Sequence, residues 1–168
     1  MLPAGSPIPD ALVPPTPGLC EKPTPLRELA AAGPIVLYCY PADGTPLCTR
    51  QACVMRDTIA DQADELRRAG LRVVGLSPQG RASHDRFAAR HHLTFPIIAD
   101  EDKHLLRALD ALGLLGMPRR VTYLLRPDGA IGAAITADVR LSQHRKFVQT
   151  AIDLVLDHPR DAPPTANS

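Results

Sequence analysis

The chain has 168 residues, 45% of them apolar, with 19 basic and 18 acidic residues and a net charge of +1. That length and apolar content suit one domain with its own core and exclude disorder of the whole chain. The near balance of charge gives no reason to expect nucleic acid or an anionic membrane as a partner, and the scarcity of aromatics, with no Trp, requires an aliphatic core.

Residues 1–25 hold eight prolines. Proline lacks a backbone donor and fixes φ, so this segment reads as extended chain packed on the domain, with Ala11-Leu12-Val13 as a short edge strand. No Lys or Arg precedes Lys22 and no long apolar run occurs, so no secretory signal is read and a cytoplasmic location is expected. In a reducing compartment the four cysteines point to catalysis, metal or packing rather than to a static disulfide framework. Cys20 is assigned no role. Cys39, in the middle of an apolar strand, is read as packing.

Thr24-Pro25 reads as an N-cap followed by proline at the first helical position, opening a short helix over residues 26–31 that Gly33-Pro34 ends. The apolar run Ile35 to Tyr40 predicts a buried strand. A turn, Pro41 to Pro46, follows. From Cys48 to about Ala69 the pattern is helical, with a break expected near Asp57 or Thr58 and Gly70 as the C-terminal cap. Arg72 to Ser77 reads as a second buried strand, Arg81 to His92 as a helix and Phe95 to Ala99 as a third strand. Another helix is expected to open at Asp100 to Asp102, with Leu105, Leu106, Leu109 and Leu112 on one face. Arg120 to Leu125 and Ala130 to Thr136 form a hairpin through Pro127-Asp128-Gly129, where glycine supplies a positive φ. A last helix covers residues 142–156, and the tail after His158 is expected to be frayed. This alternation predicts an α/β domain spanning residues 26–158, a mixed sheet with helices on both faces.

The stretch Tyr40 to Asp57 carries the chemistry. A thiol at a helix start meets unpaired N–H groups and the positive end of the helix dipole, and both favour a thiolate. Cys48 is placed there, with Cys53 five residues on. His84, His91 and His92 do not have the spacing of a metal site and are read as a solvated helix face; the two cysteines are equally poor zinc ligands.

Pro41, Thr45 and Cys48, in the spacing P-x-x-x-T-x-x-C, resemble the active-site signature of the peroxiredoxins. Cys-Thr-x-x-Ala-Cys followed by Arg-Asp, Cys48 to Asp57, is similar to the branch called peroxiredoxin Q or bacterioferritin comigratory protein. The resemblance covers most of the chain. It implies a thioredoxin-like fold in its peroxiredoxin variant and a thiol peroxidase acting on hydrogen peroxide and organic hydroperoxides, with no metal, haem or flavin. A thioredoxin-like reductant is the implied partner, and a monomer is expected. Cys48 would be the nucleophile and Arg120 the arginine beside it. Arg119 is the competitor, and strand alternation lets only one of the pair face Cys48. Thr45 would offer its hydroxyl to the peroxide, Pro41 would cover the sulfur, and the N–H groups of Leu47 and Cys48 would meet the second oxygen. Cys53 would resolve a Cys48 sulfenic acid as a disulfide. The chain departs from the family pattern at Leu47, where glycine is common, at Cys39, where an aromatic is frequent, and at Arg126, where an acidic residue is usual.

Spacing adds a condition. Five residues of α-helix rise about 7.5 Å and turn about 140°, whereas a disulfide needs Cα atoms within about 6.8 Å and converging Cβ vectors. Pairing Cys48 with Cys53 therefore requires the first turns to unwind. Two other functions stay open on sequence: a disulfide oxidoreductase, disfavoured by the lack of Cys-x-x-Cys, and a peroxide-sensing relay protein.

Overall fold

The computed structural model describes residues 1–136 and 142–157. In chain order its elements are β1 (Leu12–Val13), β2 (Thr24–Pro25), α1 (Leu26–Ala31), β3 (Ile35–Cys39), α2 (Pro46–Asp61), α3 (Ala63–Ala69) and β4 (Arg72–Ser77). Then come α4 (Arg81–His91), β5 (Ile97–Ala99), α5 (His104–Ala108), a single 3-10 turn (Leu114–Gly116), β6 (Val121–Leu125), β7 (Ile131–Thr136) and α6 (Ser142–Asp157). The main sheet has the order β5-β4-β3-β6-β7. β3 is parallel to β4 and β4 to β5, while β3–β6 and β6–β7 are antiparallel. The expected mixed sheet, flanked by helices, is present. The tail after His158 lies outside the described residues.

β3 is the central strand, and all five of its residues are buried. A strand covered on both faces reads as a continuous apolar run, as Ile35 to Cys39 does. Side chains alternate along it. Ile35, Leu37 and Cys39 join a core with α1, α5 and the N-terminal segment, from which Ile8 and Val13 are buried. Val36, Tyr38 and Tyr40 join a second core on the other face, with Cys48, Ala52 and Met55 of α2 and with residues of α3, α4 and α6. Helix α2 therefore lies against one defined face of the sheet. Thr122 and Leu124 of β6 belong to that face, since Val121, Tyr123 and Leu125 enter the opposite core.

The proline-rich segment runs extended across the β6–β7 hairpin. Gly5 N donates to Ile131 O and Ile8 N to Gly129 O, both at 2.8 Å. The edge strand expected at residues 11–13 exists as β1, but it pairs with β2 in a separate two-stranded sheet. Gly70 is left-handed at the end of α3 (φ 60°) and Gly129 takes φ 85° in the hairpin turn, the conformations expected of them.

Three sequence expectations are corrected. Thr24 does not cap α1: Pro25 occupies the N-cap position, and the Thr24 hydroxyl donates to Lys22 O at 2.8 Å. The break expected near Asp57 or Thr58 falls at Gln62 instead. Thr58 is buried and its hydroxyl bonds back to Val54 O at 2.6 Å, so it is accommodated inside the helix. The helix expected from Asp100 to Leu112 shrinks to α5. The Asp100 carboxylate turns back to accept from Leu105 N (3.0 Å) and Leu106 N (2.8 Å), and Asp110 adopts φ 52°, which no helix continues through.

Candidate active site

After β3 the chain passes through residues 40–45 and enters α2. Thr45 is the N-cap (φ −72°, ψ 145°) and Pro46 the first helical residue. Proline costs nothing there, because its missing N–H would have had no helical partner. The first ladder bond runs from Thr49 N to Thr45 O at 2.9 Å. The N–H groups of Leu47 and Cys48 precede that bond and are directed out of the helix start. Cys48 is thus the third residue of α2; the helix opens two residues earlier than the sequence reading placed it.

Cys48 is buried, with 1% of its surface exposed. Arg120 Nη2 donates to Cys48 Sγ at 3.1 Å. Arg120 immediately precedes β6, and the alternation expected of neighbouring residues holds: Arg119 is exposed, with its side chain beside Gly113. A guanidinium donor in direct contact with the sulfur is placed to meet charge that develops there during a reaction. Of the other residues singled out, Thr45 is exposed and spends no hydroxyl bond on capping, Pro41 is half-buried on the same loop, and Cys53 is half-buried farther along α2. All four cysteines are free thiols, and α2 is continuous from Pro46 to Asp61, so Cys48 and Cys53 are held apart on one helix. Cys39 is fully buried, and burial, with Asp100 nearby, pushes its thiol far up. Among the described residues no group of three or more His, Cys, Asp or Glu is placed to hold a metal.

Two polar clusters around the site were not read from the sequence. The first fixes the active-site loop. Asp43 accepts from His84 Nδ1 (2.8 Å), Ser83 Oγ (2.7 Å) and Tyr40 OH (2.8 Å), and its backbone N donates to Gln79 Oε1 (3.0 Å). Burial alone would raise the Asp43 carboxyl; the donors from His84, Ser83 and Tyr40 outweigh it and hold the group below its ordinary value. His84 is consequently not part of a solvated helix face: it is 1% exposed. The only available signal was its place in the helical period, three residues before Phe87, on the inward side of α4. The second cluster, Gln51, Thr122 and His144, lies behind Cys48 and is wholly buried.

A thiol at the start of a helix, laid on a mixed five-stranded sheet and met by an arginine entering a neighbouring strand, defines a thiol-redox protein of thioredoxin-like architecture. The chain belongs to the AhpC/TSA family, whose model matches residues 4–134. It is 34% identical over 126 residues to the chloroplastic peroxiredoxin Q of Gentiana triflora, an alignment covering 70% of this chain and 55% of that protein. The chain spans about half the length of the curated relatives it matches. Among solved structures it is similar to the peroxidoxin BcpB of Mycobacterium tuberculosis, with a TM-score of 0.75, 26% identity, and coverage of 94% of this chain and 99% of that one. It is also similar to the bacterioferritin comigratory protein of Xanthomonas campestris, with a TM-score of 0.71, 30% identity, and coverage of 87% and 92%. The thioredoxin-like fold in its peroxiredoxin variant is therefore the fold of this chain. Among the described residues no helix is long and apolar enough to cross a membrane.

Proposed function

We propose that the protein is a thiol-dependent peroxidase that reduces hydrogen peroxide and organic hydroperoxides. The observation that carries the reading is the 3.1 Å contact between Arg120 Nη2 and the buried Cys48 Sγ in the first turn of α2. The Cys48 thiolate attacks the terminal peroxide oxygen, the O–O bond breaks, and the leaving oxygen departs as water or alcohol after taking a proton. Cys48 is left as a sulfenic acid. Charge developing on the oxygens is met by Arg120, by the Thr45 hydroxyl and by the N–H groups of Leu47 and Cys48, while Pro41 limits water at the sulfur. The Cys53 thiol then attacks the sulfenic sulfur, water leaves, and a Cys48–Cys53 disulfide remains. A dithiol protein of the thioredoxin type returns it to two thiols. The Xanthomonas structure is described in terms of alkyl peroxide reduction, which supports organic hydroperoxides as substrates.

We propose a cytoplasmic location and a monomer, the latter as the family resemblance implies; the plant relatives carry names that place them in chloroplasts. The test is peroxide consumption coupled to thioredoxin, its reductase and NADPH. The wild type should turn over and Cys48→Ser should not. Turnover that survives Cys48→Ser rejects the assignment.

A further inference from the structure

Gln51 lies one helical turn after Cys48 on α2 and is wholly buried. Its side-chain Nε2 donates to His144 Nε2 of α6 at 3.2 Å; the ring proton then sits on Nδ1, which donates to Thr122 Oγ1 of β6 at 2.9 Å. Thr122 follows Arg120 by two residues, so the two face the same side of the sheet. Arg120 in turn donates to Cys48. The path closes on itself: Cys48, Gln51, His144, Thr122, Arg120 and back to Cys48. Three polar side chains in a core are costly unless their hydrogen bonds are made, whereas apolar side chains of the same volume would pack there without that condition. What hydrogen bonds add is directionality. The connection holds for one placement of Gln51 and is lost when the backbone carrying it moves.

The disulfide chemistry requires such a move. Cys48 and Cys53 meet only if the helix between them unwinds, and Gln51 lies between them. The disulfide cannot form without withdrawing the Gln51 amide from His144. Farther along, the helix is held by other contacts. Arg56 Nη1 donates to His91 O at 2.7 Å, and Asp61 pairs with Arg145 at 2.8 Å.

We propose that His144 is a positioning residue: a latch that stabilises the wound, dithiol form of α2 over the unwound, disulfide form. The proposal rests on the reading of Cys53 as the resolving thiol. Linkage makes it measurable, since a contact present in one form only must shift the equilibrium between the forms by its own worth. The exchange is balanced against a dithiol buffer: protein dithiol plus oxidised dithiothreitol gives protein disulfide plus reduced dithiothreitol. His144→Leu should shift this equilibrium roughly tenfold toward the disulfide, the worth of one buried hydrogen bond, which is a reduction potential about 30 mV more negative. Both forms of the variant lose the bond between His144 and Thr122, so the dithiol form, which also loses the bond to Gln51, should drop in melting temperature by more than the disulfide form does. His144→Gln, which keeps a donor and an acceptor, should recover part of both effects. If His144→Leu does not fold, Gln51→Met removes the same bond with little change of volume and should shift the same equilibrium. Equal destabilisation of both redox forms, with no change in the exchange constant, reduces His144 to a packing residue and overturns the proposal alone. Failure of the wild type to form an internal Cys48–Cys53 disulfide overturns the latch together with the role given to Cys53.

Discussion

His84 Nδ1 donates to Asp43 Oδ2 across 2.8 Å, with the two side chains 1% and 6% exposed. The contact joins the first turn of α4 to the loop that carries Pro41 and Thr45. That loop has no ladder of its own to hold it, so the positions of both residues depend on this bond and on the two from Ser83 and Tyr40 that share the carboxylate.

The stability carried by Asp43 has a definite pH dependence. Its carboxyl is held below the ordinary value in the folded state, so on acidification the unfolded chain takes up the proton first. The contribution is complete above the ordinary carboxylate value of about 3.9 and is lost as pH falls through the lowered folded value. Asp43→Asn should lose about 1–3 kcal/mol at neutral pH, the worth of hydrogen bonds to a buried charge. In urea titrations its gap from wild type should close below about pH 4. A gap that is constant down to the acid limb would show that the carboxylate charge is not what holds the loop.

Arg120 reaches Cys48 with one nitrogen of a planar fork, a geometry that a lysine ammonium does not reproduce. Arg120→Met should lower the second-order rate constant for peroxide by about 100- to 1,000-fold, the usual cost of removing a donor aimed at developing charge. Arg120→Lys should fall between. Arg119→Met should leave the rate near wild type, since that side chain is exposed on the other side of the chain. Competition for peroxide against a haem peroxidase of known rate gives all four values. An Arg119 effect as large as that of Arg120 would reverse the assignment.

Much of this architecture was legible in the residues. Ile35 to Cys39 reads as a strand covered on both faces because every position is apolar, and Gly70 and Gly129 sit where only a positive φ closes the turn. The pairing of Arg120 with Cys48 was accessible through the family resemblance, with strand alternation allowing only one of Arg119 and Arg120 to face the sulfur. The boundaries of α5 were not legible, because the Asp100 carboxylate takes its partners from Leu105 and Leu106, a choice that no periodicity encodes. The two polar clusters escaped for a related reason. Asp43 meets His84, and Gln51 meets His144, across 41 and 93 residues of chain. The helical period could mark His84 as inward-facing beside Phe87, but only the third dimension supplies the carboxylate or the amide that makes burial of a histidine tolerable.

Cys39 lies one strand residue short of the active-site loop, yet its chemistry should be silent. It is completely buried, and that burial keeps it in the thiol form far above neutral pH. A maleimide reagent at neutral pH should modify the half-buried Cys20 and Cys53 in the native protein and reach Cys39 only in urea. Intact-mass counting of adducts checks this. Cys39→Ala should keep full peroxidase turnover, so a loss of turnover in a folded Cys39→Ala protein would assign that thiol a role this geometry denies it.

The unwinding of α2 should be visible and bounded. In the dithiol form the ladder runs unbroken from Thr49 N onward, and its amides should be protected. In the disulfide form the backbone from Thr49 to Met55 must leave helical geometry to bring two Cα atoms within bonding reach. Exchange there should rise by orders of magnitude, because local opening removes protection outright. Beyond Met55 the helix remains tied at Arg56 to the end of α4 and at Asp61 to α6. Protection at residues 60 and 61, whose carbonyl partners at Arg56 and Asp57 lie beyond the unwound segment, should therefore be unchanged between the two forms. Equal protection at Thr49 to Met55 in both forms would mean that Cys48 does not pair with Cys53 in this helix. Loss of protection through Asp61 would mean that the anchors at Arg56 and Asp61 give way and that the whole of α2, not its first turns, is the moving part.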